Sequence, residues 1–235
     1  MIFLRSFFIS SMLFVLMLAD IAHAVESVEV APQVYVNKVT FSVPINEQPF
    51  FGFAKKSPEQ ITADNSLLAY IDEQGIPKEK AFARAIRIGW QALGQKDFAQ
   101  AGRRFNQAHL IIPGHPAVFH GFAVLVNLRF SNLEFAEHLF HVGSGLKNRN
   151  PGYMADYGRF LLVNGQAGKA VIILEEAVQS QPRNPTAWSN LAWARLQNGM
   201  VKKACDAAVQ GTRLRAPLSI KNDLRLLQKR ANCNG

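Results

Sequence analysis

Three columns of small residues recur at one spacing, and that spacing limits what this chain can fold into. Gly89, Ala123, Gly158 and Ala192 form one column, and Ala101, Ala136, Ala170 and Ala204 a second. Ala108, Gly143, Ala177 and Gly211 form a third, and every step is 34 or 35 residues. A period of this size marks stacked supersecondary units, none of which can bury its apolar face alone. Small side chains let two antiparallel helices approach closely. Larger ones between the columns fill the space: Ile88, Phe122, Tyr157 and Leu191 in first helices, Phe105, Phe140 and Leu174 in second helices. Each unit therefore reads as a helix-turn-helix hairpin. Pro116, Pro151 and Pro185 open first helices, where the missing N–H is an orphan anyway. Gly165 and Gly199 fall in the turns, and Pro113 and Pro182 follow second helices. One extra residue falls between Ala123 and Ala136, which places it in a turn, where an insertion does least harm.

This order of residues resembles the tetratricopeptide repeat family, whose period is also 34. Tyr157-Gly158, Leu161, Gly165, Ala170, Leu174, Ala177 and Pro182 carry the best match. Residues 185–218 follow with Trp188, Leu191-Ala192, Gly199, Ala204 and Gly211, and residues 82–115 with Gly89, Phe98, Ala101, Phe105, Ala108 and Pro113. Residues 116–150 depart most, having no turn glycine and Asn148 where a proline is usual. The resemblance implies an all-α solenoid of about four repeats over 82–218, inside a repeat domain at 78–235. From 217 onward, Leu218, Leu224 and Leu227 among Lys221, Arg225, Lys229 and Arg230 read as a capping helix, which a repeat stack needs to cover its last apolar face.

The resemblance also implies a site. First helices of successive hairpins line a concave groove that takes an extended or helical peptide. Carried over by alignment, the groove row is Trp90, Val124, Arg159 and Trp193, flanked by Arg87, His120, Asn127, Asp156, Ser189, Asn190 and Gln197. Tryptophan and arginine are over-represented where binding energy concentrates. The competing reading packs both tryptophans against neighbouring hairpins or beneath the chain's own N-terminal segment. The lysine and asparagine set that clamps a C-terminal carboxylate in some family members is absent.

At the other end of the chain, Arg5 precedes an uncharged, mostly apolar run from Ser6 to Ala19, and Ala22-His23-Ala24 follows. That pattern predicts a secretory signal peptide over residues 1–24 cut after Ala24, with an uncleaved anchor as the alternative. Either way the folded part lies outside the cytoplasm, periplasmic or secreted, with no transmembrane helix in the mature chain. Cys205 and Cys233 are then an even pair in a disulfide-permitting compartment. An antiparallel last helix and cap would bring them to one end. Two free thiols are the alternative.

Residues 25–77 differ in character. Val28, Val30, Val34, Val36, Val39, Phe41 and Val43 come mostly two apart, with prolines at 32, 44 and 49, which predicts an extended arm. It could add a strand to a partner, lie on the repeats or stay unpacked. A short helix is expected around Ser66–Glu73, ended by Gly75-Ile76-Pro77, and a long one over Lys78–Gly94. Charge divides at the same place. Residues 25–75 hold three basic and seven acidic side chains, net −4, and residues 76–235 hold 22 and nine, net +13.

No catalytic constellation emerges. Among the histidines at 109, 115, 120, 138 and 141, His138 and His141 sit one helical turn apart, but two ligands make neither a structural nor a catalytic zinc site, and exposed or capping roles are expected instead. Glu134 with Glu137, and Glu175-Glu176, read as solvated helix faces. Neither a phosphate loop nor a nucleophile elbow is present. The expectation is a non-enzymatic scaffold or adaptor with no cofactor or metal, holding a protein or peptide partner during assembly of an envelope machine such as a pilus, secretion or polysaccharide-export apparatus. The alternative is a binder of anionic envelope polymer or lipid headgroups through Arg103, Arg104, Lys202, Lys203, Arg213 and Arg215. Nucleic acid is not an expected ligand.

Overall fold

Ten helices and one β-hairpin account for the regular structure among the described residues of this computed structural model, which are 26–150 and 152–233. The expected signal peptide and Pro151 lie outside them. Strands β1 (Ser27–Ala31) and β2 (Val34–Asn37) pair antiparallel, and helix α1 (Pro58–Glu73) follows after two short 3-10 turns. Four hairpins come next: α2 (Lys78–Gly94) with α3 (Phe98–Ile111), α4 (Pro116–Phe130) with α5 (Leu133–Ser144), α6 (Tyr153–Val163) with α7 (Ala167–Ser180), and α8 (Pro185–Gln197) with α9 (Val201–Thr212). Helix α10 (Leu218–Arg230) packs on α8 and α9 and closes the stack. No helix among the described residues is long and apolar enough to cross a membrane.

The small-residue columns mark where helices touch. A Cβ on Gly89 of α2 would meet the Phe105 ring of α3 at 2.5 Å, and one on Gly158 of α6 would meet Leu174 of α7 at 2.3 Å. Phe105 and Leu174 are themselves fully buried, so each glycine is the socket for the large side chain opposite. Side-chain caps fix where helices begin. Asp97, Asn132 and Asn184 accept backbone N–H bonds at the starts of α3, α5 and α8, and His115 Nδ1 does so for α4.

The turns inside the hairpins hide a fourth column. Gly165 and Gly199 have φ of 76° and 75°, and Lys96 and Ser131 occupy the equivalent places with φ of 60° and 52°. The second hairpin therefore forms without a turn glycine. The extra residue does not lie in its turn as expected: α4 runs two residues further past its column than α6 does, and the turn shortens to Ser131-Asn132. The lengthened end of α4 carries Arg129 and Phe130, which hold the arm.

Helix α1 is also longer than the Ser66–Glu73 expectation. Its start is set by a capping box, in which Ser57 Oγ accepts from Gln60 N–H while Gln60 Oε1 accepts from Ser57 N–H, with Pro58 at the first helical position.

The arm lies on the protein itself. Phe41 stacks on Phe130, with ring centroids 3.7 Å apart, and Glu47 receives Arg103 and Arg129, each at 2.7 Å. Asn106 of α3 donates to the carbonyls of Asn46 and Gln48 and accepts from Phe51 N–H. Phe50, Phe51, Gly52 and Phe53 all have left-handed φ between 52° and 61°, a conformation that costs about 1–2 kcal/mol per non-glycine residue. Burial of Phe50 against His109, Phe119 and Phe122, the Asn106 bonds and the Lys56 ammonium over the Phe51 ring offset that strain.

Candidate functional site

First helices α2, α4, α6 and α8 follow one another through the stack, and the face that carries the expected groove row is the candidate site. At 100° per residue, the arm-holding residues of α4 (Phe119, Phe122, Phe130) centre about 120° around the helix from His120, Val124 and Asn127. Trp90 packs edge-on against Phe105 and His120, and Trp193 lies under Arg230, so the ring and cation contacts of both tryptophans are with the repeats and α10.

Each predicted residue falls into one of two groups. Arg87, Arg159 and Gln197 are exposed, while Trp90, Val124, Asn127, Asp156 and Trp193 are half-buried with one side toward solvent. His120, Ser189 and Asn190 are buried and join neighbouring helices. His120 Nε2 of α4 lies 3.1 Å from Asp156 Oδ2 of α6, Asn190 Nδ2 of α8 donates to the Ala155 carbonyl of α6 at 3.1 Å, and Ser189 Oγ of α8 donates to Asp223 of α10. Buried polar groups are retained when they find such partners. The result is a series of polar contacts that link α4 to α6, α6 to α8 and α8 to α10. Asn150 Nδ2 sits 3.2 Å from His120 Nδ1 on the other side of the ring.

Two groove residues do not stand out from sequence alone. Leu128 is 52% exposed and Val163 is 63% exposed. Each lies five positions beyond its column residue, Ala123 or Gly158, where α8 has Gln197. With Val124 one turn before Leu128, they form an apolar strip across α4 and α6. Trp90 bounds it at one end, edge-on to His120 at 4.7 Å, and Trp193 at the other, beneath the Arg230 guanidinium of α10 at 5.5 Å. Counting five from the first small-residue column would have found both.

The remaining candidates take structural roles. His138 Nε2 accepts the Asn37 N–H of β2 at 3.0 Å, so this half-buried histidine holds the arm rather than facing solvent. Burial, helped by nearby His141 and opposed by Glu134, holds its pKa below the ordinary histidine value. Burial and the Lys56 ammonium push His109 down to about 4. Burial also lowers His115, whose neutral Nδ1 caps α4. Among the described residues no group of three or more His, Cys, Asp or Glu is placed to hold a metal ion. Glu137 pairs with Lys169, Glu175 with Arg195 and Glu176 with Arg149. Of the proposed basic face, Arg103 is engaged by Glu47 on the first hairpin, whereas Lys202, Lys203, Arg213 and Arg215 are exposed at the other end of the stack. Cys205 and Cys233 are bonded, with the sulfurs 2.06 Å apart, and tie α9 to the end of α10.

No known family model and no curated protein sequence matches the chain. Solved structures do. PilF of Pseudomonas aeruginosa matches with a TM-score of 0.58 at 22% identity, over 66% of this chain and 71% of that one. The fold is of tetratricopeptide type. TTC0263, a thermophilic tetratricopeptide protein of Thermus thermophilus, matches at 0.52 and 20% identity over 64% and 82% of the two chains. MamA of Desulfovibrio magneticus RS-1 (residue 41 to the end) matches at 0.51 and 16% identity over 66% and 87%. At these identities the similarity is one of architecture.

Proposed function

We propose that this protein is an exported scaffold that holds a segment of a partner protein in its tetratricopeptide-type groove while an envelope machine assembles. The observation that carries the reading is the apolar strip of half-buried Val124 and exposed Leu128 and Val163, on the first helices that also carry Trp90 and Trp193. Among the described residues, Leu128 and Val163 are the large apolar side chains of the first helices that stand exposed. Arg87 and Arg159 flank the strip, so the segment that fits is extended or helical, apolar on one side, and carries a carboxylate within reach of a guanidinium. The signal-peptide pattern at the start of the chain and the Cys205–Cys233 bond support an oxidising, extracytoplasmic location.

The test is position-specific photocrosslinking in living cells. A photoreactive residue at 128 or 163 should capture a discrete protein, and one at Ile172, equally exposed on α7 outside the groove, should not. Capture from 172 and none from the groove positions would overturn the reading.

A further inference from the structure

The helices before the first hairpin and after the last carry opposite charge. Residues 57–77, which contain α1, hold four acids (Glu59, Asp64, Asp72 and Glu73) and no lysine or arginine. Residues 213–230, which contain α10, hold six basic residues and one acid, Asp223, which is taken up by Ser189. In α1, Asp64, Leu67, Leu68 and Ile71 turn inward, Asp64 pairing with Lys56. The opposite face presents Glu59, Ser66, Tyr70 and Glu73, all exposed and recurring at helical spacing. In α10, Leu224 and Leu227 are buried, and the opposite face presents Leu218, Lys221, Arg225, Leu226 and Lys229, again all exposed. Among the described residues none of those three cations is ion-paired.

We propose that the α10 face of one copy docks on the α1 face of another, so that the protein associates head to tail. The occupant follows from complementarity within one chain. An amphipathic acidic helix with an exposed tyrosine stands before the first hairpin, and an amphipathic basic helix with two exposed leucines stands after the last. Joining unlike surfaces gives a heterologous contact, which runs on as an open chain or closes as a ring according to its rotation, and in either case uses no residue of the groove row. The contact is small and mostly charged. It forms weakly, and salt disperses it because ions screen exposed charges over about 10 Å. The proposal does not depend on the groove having a ligand, since none of these residues lies on the groove row.

Sedimentation velocity of the purified protein over a concentration series, at about 25 mM and about 300 mM salt, tests it. The weight-average sedimentation coefficient should rise with concentration at low salt and return to the monomer value at high salt. R225E/K229E and E59K/E73K should each weaken association at least tenfold while keeping the wild-type helical circular dichroism. Mixed together they should assemble again, because the reversed α10 of one variant meets the reversed α1 of the other. A monomer at every concentration in low salt overturns the proposal, as does association that both variants leave unchanged, or a mixture that stays monomeric. Vesicles containing phosphatidylglycerol supply a further outcome: binding lost in R225E/K229E, without self-association of the wild type, would assign α10 to a lipid surface instead.

Discussion

Gly102→Ala is the substitution that asks most sharply whether the arm is part of the fold. A Cβ at this position would stand 2.3 Å from the Glu47 carbonyl oxygen and 2.9 Å from its carbon. Both are backbone atoms, so no side-chain rotation relieves the clash, and the chain around Glu47 must lift by roughly 1 Å to reach van der Waals distance. That displacement breaks the Asn106 bonds to Asn46 and Gln48, now 3.0 and 2.7 Å, and loosens both arginine pairs of Glu47. Each hydrogen bond is worth about 1 kcal/mol net, and each partly exposed ion pair contributes less. Alanine returns up to about 1 kcal/mol through its better helix propensity. The expected net loss is about 2 kcal/mol, within the range of other overpacked sites. For a folded unit of this size that lowers the melting temperature by roughly 4–8 °C. Hydrogen exchange locates the loss: the amides of Phe41 and Phe51, which donate to Gln48 and Asn106, should lose protection while those of α6 to α9 keep it. Gly168→Ala is the control, because its Cβ would meet nothing nearer than Asn198 Oδ1 at 3.8 Å, and it should gain a few tenths of a kcal/mol, about the propensity difference in a first turn. A Gly102→Ala protein as stable as wild type, with Phe41 and Phe51 still protected, would refute the argument.

Acid should weaken the same arm. The folded state lowers the pKa of His109 and His138, so it binds fewer protons than the unfolded chain, and stability fully present above about 6.5 is lost as the pH falls toward the folded values. For His109, pushed down to about 4, the loss is at most about 3 kcal/mol. Thermal melts at pH 7 and pH 4.5 should show it, His109→Phe should flatten the acid limb, and an unchanged wild-type melt would contradict the burial argument. Removing the bond between Cys205 and Cys233, 28 residues apart, with Cys233→Ser should cost roughly 3 kcal/mol and fray α10 before the rest, as read by exchange at Leu224 and Leu227. Equal fraying along the whole stack would count against a local clasp.

The stack was legible because its small residues are sockets: Gly89 and Gly158 must be small to admit Phe105 and Leu174, whatever surrounds them. The turn column was half legible. Gly165 and Gly199 announce a left-handed residue, whereas Lys96 and Ser131 adopt the same φ only because the paired helices on either side impose it. The start of α1 was written in Ser57-Pro58-Glu59-Gln60, but the alternating pattern of the arm beside it pointed to extended chain. The path of the arm was not readable at all. Three phenylalanines in left-handed conformation have no local preference for it, and the partners that hold them, Asn106, His109, Phe119 and Phe122, are more than 50 residues away. In the candidate groove row, alignment did not give depth. Position 120 on α4 and position 190 on α8 are buried because neighbouring first helices approach closely there, and only the assembled curvature decides that.

The central claim is that the strip between Trp90 and Trp193 holds the partner chain. The most direct measurement is the affinity of the captured partner for the wild-type protein, for Leu128→Asp/Val163→Asp and for Ile172→Asp, each at low and high salt. We expect at least a tenfold loss for the groove pair, less than about twofold for Ile172→Asp, and wild-type binding that survives salt because apolar burial is not screened. Equal affinity for all three proteins, or wild-type binding abolished by salt alone, would contradict it.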